Sequence, residues 1–124
     1  GMAVGRYAIR SGPTAAGGAF FDITVTGRGA HGARPETGIA PVLTACHITA
    51  ALQSIVSRTI APLEAAVVSV TKVVGGEAYN VIPETAVISG TARFFSRAVS
   101  SQIEDGLRRV AEGVAAGFGA TAGT

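Results

Sequence analysis

One histidine in a glycine-rich turn is the side chain best suited to chemistry in this sequence. His31 lies in the run Gly27-Arg28-Gly29-Ala30-His31-Gly32-Ala33-Arg34-Pro35, which follows a strand pattern and precedes a helix pattern. Glycines on both sides allow backbone conformations that other residues avoid, so we expect an exposed imidazole that can be directed at a ligand. Taken alone, a solvated loop histidine without a role is the alternative interpretation.

Two further side chains are candidates for binding. Asn80 lies in the loop Gly75–Pro83, where an asparagine often serves its own turn. Arg93 lies on a predicted strand, and a guanidinium on a rigid strand suits a carboxylate, which it can grip with two hydrogen bonds. No nucleophile, partner base or metal cluster accompanies these residues. The sequence therefore predicts part of an active site whose remainder lies on another domain or chain.

The single cysteine and the second histidine are interpreted as structural. Cys46 lies inside a helix pattern and is expected to be a buried, inert thiol, since no histidine or lysine is predicted to face it. One cysteine excludes an internal disulfide and a cysteine-based zinc site within the chain. His47 is expected to be structural or solvated.

Composition narrows the class of partner. The chain has 124 residues, a net charge of +2, 48% apolar residues and 15% charged residues, which predict one domain. So few charges indicate either an alanine-rich composition or a surface covered by a partner. The arginines are scattered, so nucleic-acid binding is not expected. The sequence contains no apolar run long enough to predict a membrane span. The absence of a targeting pattern, together with the single cysteine, predicts a cytoplasmic location.

Hydrophobic periodicity predicts five elements and an optional sixth. Residues 19–27, 66–74 and 85–95 alternate as strands, residues 39–58 and 101–117 follow a helical period, and the tail 120–124 can begin a last strand. The order β-α-β-β-α-β is that of the ferredoxin-like α+β fold, with both helices on one face of an antiparallel sheet. The other face is expected to be polar.

Local signals suggest where the elements begin. Pro41 suits the first turn of helix one, with Thr37 or Gly38 as its cap, and Ser101 with Glu104 forms a possible capping box for helix two. Residues 1–18 are interpreted as a hinge segment leading into a domain of residues 19–124, rather than as part of the core.

Three stretches of the sequence resemble one family when taken together. They are Thr26–Pro35, Ala51–Arg58, and Tyr79-Asn80-Val81-Ile82-Pro83 with Gly90-Thr91-Ala92-Arg93. Their order and spacing resemble those of the inserted dimerisation or lid domain of metal-dependent N-acyl-amino-acid amidohydrolases, which include hippurate hydrolase and aminoacylase. The resemblance covers nearly the whole chain.

The resemblance implies a function for each candidate residue. His31 matches the lid histidine that reaches across a homodimer and binds the scissile carbonyl in the partner's active site, while Asn80 and Arg93 match lid residues that bind the substrate's carboxylate end. It implies a homodimer formed through helix 39–58 and an adjacent sheet edge. It also implies that a separate catalytic domain holds two divalent metals, Zn or Mn, with no cofactor in this chain, and that the substrate is an N-acyl amino acid or small peptide.

Two other functions are compatible with the residues alone. One is a ferredoxin-like module that only dimerises or binds a small ligand, without catalysis. The other is a complete small enzyme in which His31 works with Glu36 or Glu77.

Overall fold

The computed structural model describes residues 5–11 and 16–123, and shows an antiparallel sheet covered on one face by two helices. The strands of the main sheet are β1 (Arg6–Ser11), β2 (Gly17–Thr26), β4 (Ala66–Gly75), β6 (Thr85–Phe94) and β7 (Thr121–Gly123). A second, small sheet pairs β3 (Ala30–His31) with β5 (Val81–Ile82). The helices are α1 (Pro41–Leu52) and α2 (Arg97–Gly117).

The order of the strands confirms the ferredoxin-like prediction. β2 and β6 are central, β4 pairs with β6, and β7 pairs with β2. β1 shares the outer edge of β2 with β7, because β1 runs beside Gly17–Asp22 and β7 beside Thr24–Thr26. The tail therefore does form the last strand.

Alternation in the two central strands places the core between the sheet and the helices. Phe21, Ile23 and Val25 of β2 point to the helices and are buried, as predicted. Other buried apolar side chains come mainly from β6, α1 and α2: Ala86, Ile88, Ala92, Phe94, Ile48, Leu52, Val99, Ile103 and Leu107.

Helix α1 is shorter than predicted and differently capped. Pro41 does occupy its first turn, but the N-cap is Ala40, which makes no side-chain capping bond. Thr37 instead closes a short 3-10 turn, its hydroxyl donating to the Arg34 carbonyl at 2.7 Å. The regular helix ends at Leu52, and a π-helical turn at Ile55–Thr59 completes the region predicted as helix.

Helix α2 begins earlier than predicted. Its N-cap is Ser96, whose hydroxyl oxygen accepts the Val99 N–H at 3.1 Å. The proposed capping box at Ser101 and Glu104 therefore lies inside the helix and was wrong. Ser96, two residues after the end of β6, has the extended backbone that a cap requires.

The first described segment belongs to the sheet, which corrects its interpretation as a hinge outside the core. Tyr7 of β1 is buried, and its hydroxyl lies 3.1 Å from the Ser100 hydroxyl of α2. The rest of the 1–18 segment includes residues 1–4 and 12–15, which lie outside the described residues.

The face of the sheet away from the helices is mixed rather than uniformly polar. Asp22 accepts a hydrogen bond from Ser89 at 2.6 Å and pairs with Arg6 at 3.3 Å. Phe20 and Val67 are partly exposed on the same face. Within the described ranges, neither α1 nor α2 has the length and apolar character needed to cross a bilayer.

Candidate functional site

Backbone hydrogen bonds fix the position of the turn that carries His31. After β2 ends, the Gly27 N–H donates to the Glu84 carbonyl at 2.8 Å, and the Gly29 N–H donates to the Glu84 side-chain Oε1 at 3.3 Å. Arg28 and Ile39 exchange two backbone hydrogen bonds of 2.9 Å. The turn is therefore held between the start of β6 and the segment that leads into α1.

Two glycines are required by this close packing. A Cβ atom at Gly27 would overlap the Ile39 carbonyl oxygen, and a Cβ atom at Gly38 would lie 2.7 Å from both the Ala30 Cβ and the Arg28 carbonyl oxygen. Neither glycine has a positive φ, so close approach of the backbones, rather than conformational freedom, explains them.

The imidazole of His31 is exposed and held in one tautomer. Its Nδ1 accepts the Ala33 N–H at 3.0 Å, so Nδ1 carries a lone pair and the proton of the neutral ring lies on Nε2. The ring therefore presents an N–H donor to solvent at the tip of the turn. The expected exposure of this side chain is confirmed.

Asn80 lies beside His31. The Asn80 carbonyl accepts the Gly32 N–H at 2.7 Å, and the next residue, Val81, pairs with His31 in the small sheet. The backbone of Asn80 thus fixes the geometry, while its amide side chain is on the exposed surface. Sequence reasoning placed both residues in loops but did not predict that the two loops pair.

Arg93 lies at the opposite end of the molecule from His31 and Asn80. It is near the end of β6, between Gly18 of β2 and Val67 of β4. The run of β6 from Thr85, beside the His31 turn, to Arg93 is about 27 Å at the usual rise per residue. Within one chain, the structure therefore does not bring Arg93 to the other two candidates.

Arg93 is one of the residues that line an open groove of about 530 Å³. The exposed Phe95 and the glycines Gly17 and Gly18 line it, together with Phe20. No ion pair among the described residues involves Arg93, so its guanidinium is available to an anion. A cation beside apolar walls suits a carboxylate attached to an organic group.

Among the described residues, the carboxylates near His31 in sequence make no hydrogen bond or ion pair with its ring. Glu36 pairs with Arg34 at 2.6 Å, and this hydrogen bond lowers the pKa of the Glu36 carboxyl. Glu77 is exposed in the loop after β4, without a described contact to His31. Glu84 is the functional neighbour that sequence reasoning missed, because nothing in its local pattern marks a carboxylate that accepts the Gly29 N–H.

The remaining candidates are less consequential. Cys46 is exposed, so its interpretation as a buried thiol was wrong. His47 packs its ring against Phe118 with centroids 4.9 Å apart, as expected of a structural residue. The described ranges hold no group of three or more histidine, cysteine, aspartate or glutamate residues that would fit a metal ion.

Comparison with known proteins shows the family. A family described as peptidase dimerisation domain matches residues 14–117. An N-acetylcysteine deacetylase of Bacillus subtilis is 42% identical over 121 residues, covering 98% of this chain and 32% of the relative. An N-acyl-L-amino acid amidohydrolase of Geobacillus stearothermophilus is 36% identical over 117 residues, covering 94% of this chain and 32% of the relative.

A solved structure agrees in fold. The crystal structure of a dinuclear metal-binding peptidase of the M20 family from Bacillus subtilis superposes with a TM-score of 0.65 and 35% identity, covering 98% of this chain and 28% of that one. The chain therefore spans about a third of the length of the curated relatives it matches.

Proposed function

Because this chain belongs to the peptidase dimerisation domain family, we propose that it is the dimerisation domain of a metal-dependent amidohydrolase that cleaves the amide bond of N-acyl amino acids or small peptides. Relatives named for N-acetylcysteine and N-acyl-L-amino acids support this substrate class. A pair of divalent metals, Zn or Mn, would supply the hydrolytic water. The described residues do not fit such a pair, so its ligands belong to the rest of the enzyme.

The hydrogen bond from the Ala33 N–H to Nδ1 of His31 is the observation that carries this proposal. Nε2–H is fixed as a donor because Nδ1 is engaged by the Ala33 N–H. A donor directed at a carbonyl oxygen stabilises the negative charge that develops there during attack, and it needs no proton transfer to do so. His31 is therefore the carbonyl ligand, acting in the active site of the partner subunit.

Asn80 and Arg93 are proposed to bind the carboxylate end of the substrate. In an N-acyl amino acid, the scissile carbonyl carbon and the carboxylate carbon are three bonds apart, which is about 4 Å. His31 and Arg93 of one chain are separated by the length of β6, about 27 Å, which exceeds the combined reach of their side chains. One substrate can contact both residues only if they come from different chains.

The edge of the sheet at β4 supports such an arrangement. In the main sheet of the described residues, β4 pairs with β6 only, and it exposes Val67, Val73 and Val74. Leu43 on the adjacent α1 is also exposed. Exposed apolar side chains along an unpaired strand are suited to a second copy of the same strand.

A two-fold dimer through α1 and β4 would complete the site. Two copies of β4 related by a two-fold axis run antiparallel, so the start of one strand lies beside the end of the other. Arg93 is next to the start of β4, and the loop with Asn80 follows its end. Each dimer would then contain two sites, each joining Arg93 of one chain to His31 and Asn80 of its partner.

The direct test is His31→Ala in the full-length enzyme. Loss of one oxyanion donor is expected to lower kcat by about two to three orders of magnitude, with the dimer intact by gel filtration. His47→Ala is the matched control, because it removes a histidine that packs on Phe118, and it should keep near-normal activity. Unchanged turnover in His31→Ala would contradict the catalytic role and favour a domain that only dimerises.

A further inference from the structure

The small sheet places one apolar side chain directly beside the imidazole. Val81 and His31 are directly opposite residues of the antiparallel pair β3–β5. Opposed residues project from the same side of a sheet, with Cβ atoms about 5 Å apart. A ligand bound at Nε2 of His31 that extends back toward the small sheet therefore meets the methyl groups of Val81.

Burial shows which side of the small sheet faces outward. The other opposed pair, Ala30 and Ile82, is partly buried, and Ala30 lies close to the backbone of Gly38. His31 and Val81 are the exposed pair, and Val81 is 51% exposed. An exposed valine next to a binding imidazole is a ready-made apolar contact for a ligand.

We propose that Val81 is a specificity-determining residue that contacts the acyl chain of the substrate and favours longer apolar acyl groups over acetyl. This proposal rests on the proposed function, because it takes the carbonyl of the acyl group to be bound by His31. Val81 does not act on the reacting atoms, so its effect lies in substrate choice.

The geometry assigns Val81 to the acyl part of the substrate, where it distinguishes acyl groups by the length of their chains. Asn80 and Arg93 account for the carboxylate end, which leaves the acyl group as the unassigned neighbour of the carbonyl. The imidazole reaches farther from the backbone than the methyl groups of valine do. An acetyl group bound at Nε2 therefore ends before it meets Val81, whereas a longer chain folds back onto it.

The test compares acyl series in the full-length enzyme and in Val81→Thr. Threonine keeps the β-branched shape but presents a hydroxyl to the chain, which loses apolar contact and desolvates a polar group. Rates are measured on the N-acetyl, N-butanoyl and N-hexanoyl derivatives of one amino acid. We expect kcat/KM for the hexanoyl substrate to fall by about fivefold or more, while the value for the acetyl substrate changes by about twofold at most.

The matched control is Ile9→Thr, which removes an equally exposed β-branched side chain. Ile9 lies on β1 of the main sheet, whereas Val81 lies in the small β3–β5 sheet. It should leave the acyl preference unchanged. An unaltered hexanoyl-to-acetyl ratio in Val81→Thr, or a wild-type enzyme without preference for longer chains, would overturn this proposal. Failure of the proposed function shows separately, as normal turnover in His31→Ala.

Discussion

The two ends of strand β6 are built differently. At the start of β6, the His31 turn and the Asn80 loop are fastened by backbone hydrogen bonds and present polar groups to solvent. At the far end, Arg93 lies in a groove with Phe95 and two glycines. One end offers a donor for a carbonyl and the other a cation for a carboxylate. Under the proposed function, the distance between them requires that a second chain bring the two ends together on one substrate.

Preventing dimer formation should have the largest effect, because it separates the Arg93 end of one chain from the His31 end of its partner. Leu43→Asp places a charge on the exposed face of α1. In a two-fold symmetric interface the substitution is present in both subunits, so the interface carries two new charges. We expect the dissociation constant of the full-length dimer to rise by at least about a hundredfold, and activity to fall with it. Analytical ultracentrifugation across a concentration series measures the shift.

The control for Leu43→Asp is Leu63→Asp. Leu63 is fully exposed in the loop between the π-helical turn and β4, and it belongs to neither α1 nor β4. This variant should remain dimeric and active. A dimer of normal affinity in Leu43→Asp would show that α1 is not part of the interface.

The His31 end can be disturbed on its own through Gly27. In Gly27→Ala, the new Cβ meets the Ile39 carbonyl, so the backbone of the turn must move. We expect a loss of about 1–3 kcal/mol in the free energy of unfolding, together with reduced kcat. Urea denaturation and steady-state kinetics provide the two measurements.

A helical glycine provides the contrast to Gly27. A Cβ at Gly113 of α2 meets nothing within 4 Å. Gly113→Ala should therefore stabilise the domain by up to about 1 kcal/mol, because alanine is the better helix former. If both substitutions changed the free energy of unfolding equally, close packing of the His31 turn would not explain why position 27 requires glycine.

The smallest expected effect concerns the edge of the sheet at β1, where Tyr7 contacts α2 through Ser100. Tyr7→Phe removes the hydroxyl contact with Ser100 and should cost about 1 kcal/mol at neutral pH. Burial raises the pKa of Tyr7 above its ordinary value of 10.0, although the Ser100 hydrogen bond partly opposes this. The folded state therefore favours the protonated phenol.

The sign of the pH dependence follows from that shift. The stabilisation from Tyr7 is complete below the unfolded pKa of about 10 and is lost as pH rises through the higher folded value. The stability difference between wild type and Tyr7→Phe should thus shrink in alkaline solution. Tyr79→Phe, at a fully exposed tyrosine, should have the stability of wild type at every pH tested. A stability difference between wild type and Tyr7→Phe that did not change with pH would contradict the claim that burial raises the pKa of Tyr7.

Much of the fold could be predicted because its signals are periodic. Strict alternation in β2 and β6 identifies both strands and their buried faces, and the buried side chains agree. Two-residue strands carry no such period, so β3 and β5 were missed, and with them the contact between the His31 and Asn80 loops. Pairing of loops distant in sequence depends on tertiary backbone hydrogen bonds.

Other misses have equally local causes. Helix α1 is apolar nearly all round, so its pattern does not say which side faces the core, and Cys46 was assigned to the wrong side. Serines occur at 96, 100 and 101, and the extended backbone of Ser96 identifies it as the cap, whereas Ser100 and Ser101 lie inside the helix. The candidate site residues could be identified from the sequence. Their positions, with Arg93 far from His31, became known only from the strand register.

Subunit mixing tests the shared site most directly. Full-length His31→Ala and Arg93→Ala are each expected to be nearly inactive as homodimers. When the two are dissociated and reassociated together, half of the dimers should be mixed, and each mixed dimer regains one intact site. Activity should therefore return to about a quarter of the wild-type value. Mixed dimers that form but stay inactive would contradict the claim that one substrate is held by His31 and Arg93 of different chains.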